Sequence, residues 1–248
     1  MGVSVDYGGP VAVTREIFWV GFHDAEADMH CNPYLLVDGD EAVLIDSGSI
    51  PQFPVIMRKI IDVINPAQIS IVVASHPDPD VCSNMAVVED VVEREDLRIA
   101  AHAASLRLIR YYGLRSTLYA VDRNDWRITL KSGRVLEFIH TPHLHFAGSI
   151  ATWDVASGSL FSSDLFGAMD HDWALFGDAG YAPDMNSWHE MIMPARAMLN
   201  VVLDRFAALP IARLCPQHGS VIEGEAAVKA AIAHLRALPC GLDLVKGG

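Results

Sequence analysis

No stretch of this chain reaches the roughly 18 apolar residues that suggest a membrane-spanning helix. The N-terminus, MGVSVDYGGP, has no basic region followed by an apolar one, so it does not read as a secretory signal. Asp6 stands where a myristoylation pattern needs Ser or Thr. Positive charge is scarce: 18 Lys and Arg stand against 31 Asp and Glu, a net charge of −13. A nucleic-acid backbone or an anionic membrane is therefore disfavoured as the main partner. Cysteines are few and scattered, and Cys31, Cys82, Cys215 and Cys240 form no CxxC pair. They read as reduced thiols, and the expected location is the cytoplasm. A Gly-rich phosphate loop is missing, and so is a Pro/Ser-rich linker. The expectation is one domain over residues 1–248.

What remains is half apolar and reads as alternating strands and helices. Residues 11–22 are β-rich, and 34–46 carry two apolar runs around Asp38-Gly39-Asp40, a hairpin signal. Residues 53–64 have helical spacing, and 69–75 form an apolar run of strand length. A helix is predicted over about 84–95, a strand over 97–101, and helix plus loop over 103–119. Further on, hairpins are predicted around 131–133 and 156–158. Residues 185–209 read as helix with Pro194 as a boundary, 212–216 as a strand and 225–238 as a closing amphipathic helix. Each half mixes strands and helices, which predicts an α/β fold of two mixed sheets packed face to face with helices outside.

Into this frame falls the run SHPDPDVCSN, residues 75–84. His76 and Asp78 each precede a proline and are biased towards extended backbone. In extended chain, side chains at alternate positions share a face, so His76, Asp78 and Asp80 are expected to converge. Two carboxylates held that close repel each other, and a cation resolves the conflict. The alternative is a polar turn between strand and helix.

Three other stretches put similar groups at strand exits. HTPHLHFAGSI (140–150) carries His140, His143 and His145. SLFSSDLFG (159–167) carries Asp164, and CPQHGS (215–220) carries His218. Singly, each reads as a turn or surface residue. Ligand sites in helix-covered sheets gather at strand ends, and four such exits with the same chemistry point to one metal centre.

The order HxDxD, TPxLHFxGS, LFSSDLFG and CPQHG resembles the metallo-β-lactamase fold. Within it, the chain is similar to the diiron domain of flavodiiron proteins and to stand-alone oxygen-binding diiron proteins. The run NPYLLVDGDEAVLIDSG (32–48) matches that superfamily's opening hairpin. The resemblance implies an αββα four-layer sandwich. It implies one metal on His76, Asp78 and His145, a second on Asp80 and His218, and Asp164 bridging them. The chain departs from the zinc-hydrolase pattern HxHxDH at Asp78 and Val81, and from the flavodiiron pattern by Asp78 in place of Glu. Such a donor set suits two iron ions, with manganese or zinc as alternatives. The sparse second position is completed by His143 or Cys82, or else each of these sits behind the ligands, which is the favoured reading.

The resemblance also implies supporting roles. Asp46 would hydrogen-bond behind the ligands, His189 would line the pocket or, as the favoured reading, be an ordinary helix histidine, and Tyr181 would donate a proton or a hydrogen bond near bound oxygen. Trp173, Phe176 and Trp188 are either a cover over the pocket or core. The function implied is a non-haem diiron protein that binds O2 or NO, as a sensor or as a reductase. FMN is not expected within the chain, so turnover would need an external donor, a flavoprotein or rubredoxin-like protein. The rivals are a dinuclear metallo-hydrolase acting on an ester, thioester or phosphodiester, and a binding module with structural metals.

Overall fold

The structure, a computed structural model, describes residues 5–24, 29–169, 173–178 and 180–245. The chain forms two compact units. The first comprises Met1–His23, Cys31–Asp125 and Thr129–Arg134. The second comprises Asp24–His30, Trp126–Ile128 and Val135–Gly248.

The chain opens with β1 (Val11–Ala12), β2 (Ile17–Trp19), a two-stranded ribbon of β3 (Phe22–Asp24) and β4 (Met29–Cys31), then β5 (Tyr34–Asp38) and β6 (Glu41–Ile45). Gly39, at φ +62°, turns β5 into β6, a backbone region where glycine carries no steric cost. Next come α1 (Phe53–Ile61), β7 (Ile69–Val73), α2 (Pro79–Cys82), α3 (Met85–Val92), β8 (Arg98–Ala101), α4 (Ala103–Ile109) and β9 (Thr117–Ala120). The first unit's sheet runs β1-β2-β5-β6-β7-β8-β9. It is antiparallel up to β6 and parallel from β6 to β9. All five residues of β7 are buried, as a parallel strand covered on both faces must be. Helical spacing aligns Ile56 with Ile60 and Val88 with Val92, and these pack with Leu35, Leu44, Val72 and Ile99 in one core.

One helix is added and one expectation corrected in this unit. A short helix that was not predicted, α2, comes first, because Pro79 starts a turn for which its fixed φ is preorganised, and the helix predicted over about 84–95 follows as α3. Val92 ends it, with Glu93 left-handed at φ 50°. Residues 117–119, read as the end of a loop, belong to the edge strand β9, paired in parallel with β8. Its half-exposed TLYA carries no apolar alternation, so the ladder decides.

Lys59 closes the lower side of this unit. It is 1% exposed. Its Nζ donates to the carbonyls of Tyr7 at 2.8 Å and Gly21 at 2.7 Å and lies 3.9 Å from the Trp19 ring centroid. A Lys59→Met variant keeps the stem and leaves both carbonyls without that donor. It is expected to unfold at lower urea, with a loss of about 2 kcal/mol; an unchanged midpoint would show the ammonium to be dispensable.

The second unit adds β10 (Arg127–Thr129), β11 (Val135–His140), β12 (Ile150–Asp154), β13 (Ser159–Phe161), α5 (Met185–Ile192), α6 (Arg196–Ala207), β14 (Arg213–Cys215), β15 (Ile222–Glu223) and α7 (Glu225–Ala237). Its sheet runs β10 to β15 in order. β15 is too short to leave a sequence signal. Pro194 falls in the break between α5 and α6, as expected. The core joins Leu160 and Leu214 of the sheet to Leu199, Leu203 and Phe206 of α6 and Ile232 and Leu235 of α7. β13 and β14 run parallel, with Phe161 opposite Cys215, so both strands leave the sheet at the same edge. That edge carries Asp164 and His218. Among the described residues, no helix is long and apolar enough to cross a membrane.

Candidate metal centre

In the first unit the site begins where β7 ends. Asp46, left-handed at φ 55°, accepts the Ser75 backbone N–H at 2.8 Å. The Ser75 hydroxyl lies 3.1 Å from His76 Nδ1. A chain of contacts thus runs from Asp46 to His76, and an anchored second nitrogen fixes the orientation of an imidazole. His76 Nε2 then faces the Asp78 carboxylate at 3.7 Å. The Tyr112 hydroxyl fastens the Pro77 carbonyl at 3.0 Å.

Asp80 departs from the expected alternation. Pro79 turns the chain into α2, so Asp80 sits in a helical first turn and not on the extended face shared by His76 and Asp78. One of its carboxylate oxygens lies within 4.8 Å of the Cys31 sulfur. His76 and Asp78 thus form one group in this unit, and Asp80 with Cys31 another.

The second unit carries the other three residues. Asp164 is buried at the exit of β13, with one oxygen 3.0 Å from His145 Nε2 and the other 3.7 Å from His218 Nε2. Each oxygen of a single carboxylate faces a different imidazole. His218 Nδ1 lies 2.7 Å from the His30 carbonyl, which can only accept, so Nδ1 carries the proton. In the neutral ring Nε2 is then a lone pair directed at a carboxylate oxygen. A cation between them reconciles the two, and a bridging carboxylate is the group that offers an oxygen to each of two ions. The donor set therefore fits metal.

The loop that presents Asp164 is strained, with Ser163 at φ 58° and Phe166 at φ 67°. Three side chains hold its backbone. Trp188 Nε1 donates to the Asp164 carbonyl at 3.0 Å, and the Tyr181 hydroxyl donates to the Phe166 carbonyl at 2.9 Å. The Phe166 N–H donates to His189 Nε2 at 3.1 Å, while His189 Nδ1 donates to the Met185 carbonyl at 2.7 Å. Burial pushes the pKa of His189 down to about 4, so the ring is neutral and acts as a backbone clamp.

These placements sort the supporting candidates. Tyr181 also accepts the Ser220 N–H at 3.0 Å, which commits its hydroxyl to the loops on either side of His218 and not to a bound ligand. Trp188 meets the His218 ring edge-on at 4.8 Å. Trp173 stacks on His30 at 4.1 Å and donates to the Gly219 carbonyl at 2.8 Å. Phe176 pairs beside Val221. The three aromatics brace the His218 segment. His143 is exposed. The Cys82 thiol donates to the Asp78 carbonyl at 3.2 Å, and burial pushes its pKa up, so it stays protonated. Sequence reasoning missed Cys31 and His30. No local pattern in the sequence marks either residue.

The family described as ODP family beta lactamase matches residues 29–219. A solved structure of the chemotaxis sensor ODP as a peroxy diiron species is similar at TM-score 0.79 and 23% identity, covering 95% of this chain and 97% of that one. The flavodiiron protein from Giardia intestinalis is similar at TM-score 0.82 and 22% identity, covering 94% of this chain and 59% of that one. The putative diflavin flavoprotein A 1 of Thermosynechococcus vestitus is 24% identical over 197 residues, 75% of this chain and 33% of that protein. The chain thus spans about a third of the length of that curated relative. With its mixed sheets, its helices and this match over most of its length, the chain is α/β with a metallo-β-lactamase-like fold, and it belongs to the ODP family.

Proposed function

We propose that this protein is a non-haem diiron protein that binds O2 or NO, with His76, Asp78, Asp80, His145, Asp164 and His218 as its metal ligands. The observation that carries this reading is Asp164, whose two oxygens each face a different histidine. In this reading residues 1–248 are one metal-binding domain. His76, Asp78 and His145 would hold one ion, Asp80 and His218 the other, and Asp164 would join them. Iron supplies the redox chemistry and the open positions for a diatomic ligand when bound. The chain's own residues set ligand orientation: the Asp46–Ser75 contacts aim His76, and the His30 carbonyl aims His218. The donor set, three carboxylates with three imidazoles, is harder than that of a His-rich zinc site. Reduction, rather than binding alone, would draw on an external flavoprotein or rubredoxin-like donor. The four free, buried cysteines suit a reducing cytoplasm.

Protein purified without oxygen is expected to contain about two irons per chain and to gain a visible absorption band on exposure to air. Two zinc ions and an unchanged spectrum would overturn this reading in favour of a hydrolase.

A further inference from the structure

The geometry points to Cys31 as a thiolate ligand of the metal held by Asp80. This rests on the diiron reading and deepens it, because it names the donor at the position that the six residues leave sparse. Cys31 is reduced and fully buried. Its sulfur and an Asp80 carboxylate oxygen lie within 4.8 Å. Donors bound to one ion at about 2.0–2.3 Å sit roughly 3–4.5 Å apart, so a small adjustment lets both reach the same ion.

A second observation comes from the other unit and does not involve the sulfur. His218 is held by the carbonyl of His30, with Nε2 turned towards Asp164 and away from that carbonyl. The peptide bond of that same carbonyl leads to Cys31. The backbone that fixes the tautomer of one ligand therefore also delivers the thiol. Cys82 offers no such arrangement, since its thiol donates to the Asp78 carbonyl.

Coordination replaces the S–H bond with an S–metal bond and releases one proton to solvent. It also makes the two positions chemically unequal. The ion at His76 and Asp78 meets only nitrogen and oxygen, whereas the ion at Asp80 meets a soft sulfur as well, which favours iron, zinc or cobalt there over manganese.

Cobalt(II) tests this without reference to activity. The full chain is stripped of metal anaerobically and titrated with cobalt, and its absorption is followed. The expected result is visible ligand-field bands from about two bound cobalt ions, plus a near-ultraviolet sulfur-to-cobalt charge-transfer band. Cys31→Ser should lose the charge-transfer band and bind the second cobalt at least about tenfold more weakly. Cys82→Ser should keep the band. That control stands even if Cys31→Ser folds poorly, because the wild-type band then has to come from one of the other thiols or from Cys31. Two bound cobalt ions without any charge-transfer band would overturn the assignment of Cys31 and leave the six-ligand centre intact. A band that disappears in Cys82→Ser would also overturn it. A chain that binds no cobalt at all would overturn the diiron reading itself.

Discussion

Asp164→Ala empties the centre: metal content is expected to fall from about two ions per chain to near zero, while His143→Ala keeps its full complement. The difference follows from position. Asp164 is buried, with one oxygen towards His145 and one towards His218. In the proposed centre its removal takes a ligand from both ions at once and leaves the two imidazoles without the carboxylate they face. His143 lies exposed, and its loss changes only solvent contact. The fold should survive the Asp164 change, because Trp188 and His189 hold that loop by backbone atoms that Ala retains. Asp164→Asn keeps the shape but loses the charge, and should retain an intermediate amount of metal. Elemental analysis of the three variants, with circular dichroism as a fold control, decides the matter. Equal metal in Asp164→Ala and His143→Ala would sink the bridging assignment.

His189→Ala should be the most destabilising single change at the clamp, costing about 4 kcal/mol. It leaves the Phe166 N–H and the Met185 carbonyl without partners in a buried site and opens a cavity beside them. The same residue gives stability a pH dependence. The unfolded histidine takes up a proton near pH 6.5, but in the folded chain burial holds the ring neutral down to about 4. Between those values the unfolded state binds the extra proton. The contribution is fully present above pH 6.5, is lost as pH falls towards 4, and amounts to about 3 kcal/mol. The Asp164 charge and the Met185 carbonyl favour protonation and His234 opposes it, but desolvation is the largest effect. Urea unfolding of metal-free protein from pH 7.5 to 4 should show wild type losing more stability than His189→Gln. Parallel curves for the two would remove His189 from the account.

Much of this was readable beforehand, and the exceptions have physical causes. The HxDxD run, the strand exits at Asp164 and His218 and the hairpin at Gly39 announce themselves through proline, turn chemistry and apolar runs. Asp80 was misplaced because the proline that makes Asp78 extended also starts a helix one residue later. That second effect won, and it broke the expected alternation. Cys31 was read with the other three as a reduced thiol because nothing local marks a lone cysteine. The His30 carbonyl could not be read at all, since a backbone oxygen is the same in every residue. Tyr181 and His189 were read as pocket-lining candidates; the structure shows both gripping backbone. β9 was missed because an edge strand with no alternation owes its existence to the strand beside it.

The hydrogen bond from His218 to His30 spans 188 positions of sequence. A ribosome releases the acceptor well before the donor, so a growing chain carries HxDxD for a long stretch of synthesis without the imidazole that residue 30 awaits. Long-range pairings of this kind form late because closing so large a loop is entropically costly. Maturation would then be timed by translation: ions captured early would sit on an incomplete set of donors, and tight retention would arrive only once the segment carrying His218 has been made.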